Sequence, residues 1–400
     1  MSKRALSDRL AFFVTRQLYG ALGAPRIRFA LPDGRAVGPP RDEAVATVHF
    51  EDARAPLALA FDSQLAFGDL FSSGRIHVEG SLVDLICATN DFPADVGLRF
   101  RLGGRIRPPP SWRQALGRAA QNARHHYDAG NDFYALWLDE RMVYTCAYFE
   151  RPGASLEEAQ VAKLDLVCRK LRLRPEQRVL ELGSGWGALA LHMASAHGAR
   201  VRAFNVSEEQ VAFAREQAEK QGLASRVEFV LDDWRNATGR YDAFASVGML
   251  EHVGPGHYAA LGRVIERSLA REGLGFIHTI GRSRPHPLNR WVAKRIFPNA
   301  HPPALSEMMR IFEPYDFAVL DVESLRRHYE LTAEHWLERY RANRRLVGEH
   351  VSEETARAFE LYLAGTVAAF RSATLTLYQV VFTRARNEAI PWTRADLYRA

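Results

Sequence analysis

The stretch "RVLELGSGWGALALHMA", Arg178 to Ala194, constrains the fold more than any other part of the chain. A short apolar run ends at Leu182, three glycines follow at alternate positions, and Leu189, Leu191 and Met193 continue as a helix. Strand, tight turn and helix in that order are the opening unit of a doubly wound α/β sheet. Glycine lets the backbone take positive φ and lets a ligand come close, and the helix N-terminus offers unbonded N–H groups. A dinucleotide site would space its glycines G-x-G-x-x-G. Here Gly183, Gly185 and Gly187 give G-x-G-x-G, with acidic Glu181 in the strand end. That variant suits a ligand without a pyrophosphate and suggests S-adenosylmethionine (SAM).

From about Leu171 the chain alternates between strand and helix patterns. The strand candidates are "RVLELG", "RVRAFN", "RVEFVLDD", "YDAFASVGM", "GLGFIHTIG", "FAVLDVESL" and "TLYQVVFTR", with helices fitting between the first five. A Pro-, His- and Arg-rich insertion, 282–312, and a long helical stretch, 333–370, interrupt the later part. Upstream, residues 1–98 read as a small α+β domain, 99–112 ("RFRLGGRIRPPPSW" from Arg99) as a basic Gly/Pro linker, and 113–400 as the catalytic domain. In the first domain "IRFALPDG", "ATVHFED", "LALAFD" and "RIHVEG" read as short strands and turns. "LSDRLAFFVTRQLYGAL" reads as an amphipathic helix with Ser7 as cap. Its face of Leu6, Leu10, Phe13, Val14 and Tyr19 packs on its own domain or also touches lipid.

Composition narrows the setting. A net charge of +6 and a pI near 9.3 fit an anionic membrane surface or nucleic acid. No nucleic-acid module is recognisable, so no nucleic-acid partner is expected. Cys87, Cys146 and Cys168 have neither disulfide-framework nor metal-ligand spacing, so no metal is expected and a reducing cytoplasm is. No run approaches the ~20 apolar residues of a membrane span. Any membrane contact is therefore expected to be peripheral, at the inner face.

The polar residues at the strand ends follow the order of a bound nucleoside. Asn205 can bond a ribose hydroxyl through its amide oxygen. Ser207 caps the next helix, and Gln210 in its first turn serves either a capping box or the ligand. Asp233 and Trp234 can hydrogen-bond and cover an adenine ring. Glu251 and His252 close the fourth strand and His278 the fifth, where central strand ends face the cofactor crevice.

Together "YDAGNDFYALWLDERMVYTCAYF", "VLELGSGWG", "NVSEEQ", "GMLEHVG", "FIHTIG" and "LYQVVFTR" resemble the bacterial cyclopropane-fatty-acyl-phospholipid synthases, relatives of the mycolic acid cyclopropane synthases. The likeness runs from about His126 to the C-terminus. It implies a class I SAM-methyltransferase fold, an α/β doubly wound seven-stranded sheet with helical insertions, and a homodimer. It implies a SAM site lined by Tyr127, Tyr144, Thr145, Gly183, Asn205, Gln210 and Trp234, with Thr145 and Asn205 standing where Ser and Thr are frequent. It also implies a bicarbonate site at Cys146, Glu251, His278, Ile280 and Tyr329, Ile280 acting through its backbone amide. The reaction implied is transfer of a methylene from SAM to the cis double bond of unsaturated acyl chains in membrane phospholipid, through a carbocation and bicarbonate-assisted deprotonation. A C-methyltransferase giving methyl-branched or methylene chains is the alternative.

Overall fold

The computed structural model describes residues 3–90 and 130–397. Tyr127 and the linker 99–112 lie outside the described residues. The chain forms two compact units. The first combines the beginning of the chain with Asn289–Pro298 and Ala333–Thr374; the second takes most of the rest. The unit boundaries are thus not the sequence boundaries: two pieces of the span 113–400 belong to the first unit.

In the first unit β1 (Ile27–Ala30), β2 (Ala36–Val37), β3 (Ala46–Phe50) and β4 (Ile76–Gly80) form one sheet in the order β2-β1-β3-β4. Its first helices are α1 (Lys3–Ala21), α2 (Ala55–Phe61), α3 (Ser63–Ser72) and α4 (Leu82–Asn90). Two local expectations fail here. Helix α1 starts before Ser7, so Ser7 is not its cap. "LALAFD" alternates like a strand but folds into α2, because Ala and Leu favour helix and Pro56 sits in the first turn. On α1 the small side chains Ala11 and Thr15 are buried, whereas Leu6, Leu10 and Phe13 are 63%, 50% and 59% exposed.

The second unit carries helix α5 (Gly130–Ala135) and α6 (Leu156–Leu171), then all seven expected strands: β5 (Arg178–Leu182), β6 (Arg200–Asn205), β7 (Val227–Leu231), β8 (Tyr241–Val247), β9 (Leu269–Gly281), β10 (Phe317–Ser324) and β11 (Thr376–Arg384). Their order is β10-β11-β9-β8-β5-β6-β7, with β11 antiparallel to both neighbours and the remaining pairs parallel. The order reverses at β5, which places a crevice outside its carboxyl end. Helices α7 (Ala188–His197) and α8 (Glu208–Lys220) follow β5 and β6. Between β7 and β8 there is only one 3₁₀ turn, Trp234–Asn236, where a helix was expected; the link is too short for a helix with caps. Helices α9 (Leu250–Val253) and α10 (Tyr258–Ser268) precede β9, and α11 (Leu305–Phe312) precedes β10. Alternate residues of the central strands feed two cores. Val179, Val201 and Phe229 pack with α7 and α8; Leu180, Phe204 and Phe244 pack with α10 and α11.

The long helical stretch is three helices, α12 (Arg326–Ala342), α13 (Arg344–His350) and α14 (Glu353–Arg371). The last is capped by Ser352, whose hydroxyl accepts from Thr355 N at 3.2 Å. Helix α14 packs on α3 and α4 within the first unit. Arg357 there donates to the carbonyl of Phe71 at 2.7 Å, and Arg295 pairs with Asp69 at 2.9 Å.

Candidate active site

The cofactor side is made mainly of backbone. Gly183, Gly185 and Gly187 have φ of 85°, 53° and 90°. A Cβ on Gly183 would come within 2.7 Å of Met249, and one on Gly187 within 2.7 Å of Phe229, so packing fixes both. A Cβ on Gly185 would meet nothing within 4 Å, which leaves that side of the turn open to a ligand. Asn205 donates to the Gly185 carbonyl at 3.1 Å and to Gln210 Oε1 at 2.8 Å. Its Oδ1, expected to face a ribose hydroxyl, already accepts from Val206 N and Ser207 N at 2.7 and 3.2 Å. Asn205 therefore shapes the turn. Gln210, whose backbone N–H is capped by Ser207, keeps its Nε2 buried and without a partner among the described residues. Asp233 is engaged as well, accepting from Arg235 N at 2.9 Å and pairing with its guanidinium at 2.7 Å. That guanidinium lies 4.6 Å over the ring of buried Trp234.

The aromatic segment reaches the same turn. The ring of Tyr144 lies 5.1 Å from Trp137 and 5.6 Å from Tyr134, and Tyr134 lies 5.2 Å from Trp186 of the glycine turn. Thr145 accepts from Lys163 Nζ at 3.0 Å, and its methyl fills the space beside Gly248.

The anion side is made of buried side chains. Glu251, on α9 directly after β8, accepts from Ile280 N at 2.5 Å through Oε1, while Oε2 is buried without a partner among the described residues. Burial pushes its carboxyl up to about 7, against the lowering effect of nearby backbone N–H groups and of the Thr279 side chain. The Ile280 amide, expected to face the anion, is thus spent on Glu251. His278 is 1% exposed, with Nδ1 3.2 Å from Gln379 Nε2 and Nε2 buried without a partner among the described residues. Burial, then Lys163 and Lys170, hold this imidazole well below its usual pKa, so it is neutral. Cys146 is fully buried, and burial keeps its thiol protonated. The Leu325 carbonyl faces Cys146 Sγ at 3.9 Å and accepts from Tyr329 N at 3.1 Å. This brings both residues to the start of α12. Ala147 N donates to Thr332 Oγ1 at 3.0 Å and fixes the segment there.

Lys163 connects these groups. It is 1% exposed and interacts electrostatically with Cys146, Glu181 and His278. Burial lowers it to about 8 and raises Glu181 to about 8. No motif of the sequence singles it out. The missed signal is its place among Leu164, Val167 and Leu171, which form the apolar face of α6. Buried atoms lacking partners, a neutral imidazole and a carboxyl that is uncharged below about pH 7 fit a small oxyanion such as bicarbonate. The opening at Gly185 and the Gln210 donor fit a nucleoside ligand such as SAM. Apart from this site, donor atoms of Cys168, His192 and His197 lie within 4.8 Å of one another, a grouping their spacing conceals; there Asp165 holds His192 at 2.7 Å.

Residues 114–380 match the family model described as mycolic acid cyclopropane synthetase. The chain is 33% identical over 353 residues to a probable fatty acid methyltransferase of Pseudomonas putida, covering 85% of this chain and 88% of that one. It is 40% identical over 273 residues to the cyclopropane-fatty-acyl-phospholipid synthase of Escherichia coli K12, covering 68% and 70%. Among solved structures, mycolic acid cyclopropane synthase CmaA1 complexed with SAH and CTAB superposes with a TM-score of 0.63 at 28% identity, over 66% of this chain and 98% of that one. The glycine turn and the seven-stranded order thus belong to a class I SAM-methyltransferase fold, and the chain is a SAM-dependent transferase of the mycolic acid cyclopropane synthetase family.

Proposed function

We propose that the protein forms cyclopropane rings in membrane phospholipids by adding a methylene from SAM across the cis double bond of an unsaturated acyl chain. The observation that carries this reading is the pair of buried atoms without a partner among the described residues, Glu251 Oε2 and His278 Nε2, at the ends of the adjacent strands β8 and β9. Methyl transfer to a heteroatom does not need them. Methylation of an alkene does, because it leaves a cation that must lose a proton to a held base, and loss of that proton from the transferred carbon closes the ring. When bound, SAM supplies an electrophilic methyl and bicarbonate supplies a base. Glu251, neutral and fixed by Ile280 N–H, and the His278 N–H then hold the anion in place. Cys146 and Tyr329 complete the wall around it. The rings of Tyr134, Trp137 and Tyr144 favour positive charge without bonding to it.

The Pseudomonas relative, matched over more of the chain, favours a second reading in which the acyl chain is left methyl-branched or methylenated. Incubation with SAM and monounsaturated phospholipid, followed by proton NMR of the acyl chains, separates the two. Upfield ring-methylene protons support the first, and a branch methyl or exocyclic methylene without them rejects it. The exposed stripe of Leu6, Leu10 and Phe13, with exposed Arg9 and Arg16 on the same helix, supports docking of the first unit on an anionic membrane surface.

A further inference from the structure

The sheet sets Glu323 of β10 opposite Gln379 of β11, and Gln379 opposite His278 of β9. Paired residues on neighbouring strands share a face, so these three side chains form a row. Helix α6 brings Lys170 to that row, and Lys170, Gln379 and His278 are all at least 98% buried. Lys170 Nζ donates to Gln379 Oε1 at 2.7 Å and to Glu323 Oε2 at 2.5 Å. An ammonium can only donate, so Gln379 must turn its oxygen to Lys170 and its NH₂ away. That NH₂ lies 3.2 Å from His278 Nδ1. A nitrogen that accepts carries no proton, and a neutral imidazole has one proton to place. The proton is therefore on Nε2, the atom left without a partner among the described residues.

We infer that Lys170 and Gln379 are positioning residues that lock His278 as an Nε2–H donor toward the bound anion. The inference rests on the anion-binding reading of His278. The opposite tautomer would present a lone pair to the anion and repel it. The reach of this device is long: one residue lies in a helix ahead of the glycine turn, and the other in the last strand. A lone Gln within the apolar run of β11 is its mark in the sequence.

The test uses full-length protein labelled with ¹⁵N-histidine, the His278 signal being assigned by its loss in His278→Gln. Long-range proton–nitrogen spectra read which ring nitrogen is protonated. The expected result is a protonated Nε2 in the native protein. In Gln379→Glu, a carboxylate at that place draws the proton to Nδ1. Half-saturation by bicarbonate should then rise about tenfold or more, as for loss of a hydrogen bond to a charged group, with SAM affinity kept within about twofold. A native protein protonated on Nδ1 overturns the inference, even if no variant folds. So does a folded Gln379→Glu with the native tautomer and native bicarbonate response. Native protein indifferent to bicarbonate but protonated on Nε2 would instead remove the anion reading and leave the lock standing.

Discussion

The two halves of the candidate active site are built by different means. Around the glycine turn Asn205, Asp233 and Thr145 are engaged within the protein, by the turn, by Arg235 and by Lys163, while Ser184 Oγ and Gln210 Nε2 stay buried without a partner among the described residues. Around Glu251 and His278 the polar atoms are buried and left open, and the carboxyl is displaced to about 7. Such groups cost stability until something binds them. Asn205, Asp233 and Thr145 are thus engaged before any ligand arrives, whereas Glu251 Oε2 and His278 Nε2 are not.

The sharpest way to break this comparison is Glu251→Gln, which keeps shape and removes proton exchange. Turnover should fall on the order of 10²–10³-fold, with SAM affinity nearly unchanged, as for a group acting in the transition state. Initial rates with and without added bicarbonate, beside calorimetric SAM binding, read both numbers. Loss of SAM binding, or native turnover, would show that the two halves are not separate.

Stability against pH comes next. The folded-state value of Glu251 lies above that of a free carboxyl, so its neutral form is favoured by folding. The contribution is complete at low pH and is lost as pH rises through about 7. Denaturant midpoints should fall between pH 5 and pH 8 by the equivalent of roughly 2–3 kcal/mol more in the native protein than in Glu251→Gln. Glu181, raised to about 8 for the same reason, acts with the same sign in both proteins and drops out of the difference.

On the cofactor side, Gly185→Ala should fold, since its φ of 53° costs an alanine only about 1–2 kcal/mol and its Cβ meets no protein atom. That Cβ stands in the open side of the turn, and SAM affinity should fall about tenfold, roughly 1.4 kcal/mol. Unchanged SAM affinity in calorimetry would move the ligand away from Gly185. The smallest effect is expected at α1. Replacing Leu6 and Phe13 by Ser should reduce sedimentation with anionic vesicles a few-fold, and raising salt to 1 M, where the Debye length is about 3 Å, should reduce it further. Equal binding to neutral and anionic vesicles at every salt concentration would dismiss the electrostatic part.

The seven strands were legible because each ends in a turn signal and carries an apolar run with period 2 or none. "LALAFD" misled because its two-residue alternation is a by-product of Ala and Leu in a short helix. The strand-end residues Glu251 and His278 could be singled out because topology puts them at the crevice. Lys163, Lys170 and Gln379 could not, since burial of a charge depends on partners elsewhere in the chain. Nor could the use of Ile280 N–H by Glu251, which depends on a β8–β9 pairing that spacing does not report.

The interior of the first unit has a further consequence, one of timing. Phe71 and its partner Arg357 are 286 residues apart. At roughly 5–20 residues per second, synthesis leaves α3 and α4 without α14 for about 15–60 s. During that interval α3 and α4 have α2, β3 and β4 to pack on but lack the cover of α14, and the seven-stranded sheet also lacks β11. Neither unit has all its elements before α14 and β11 are made. A nascent chain halted before Glu353 should remain bound by chaperones and open to proteases across both units.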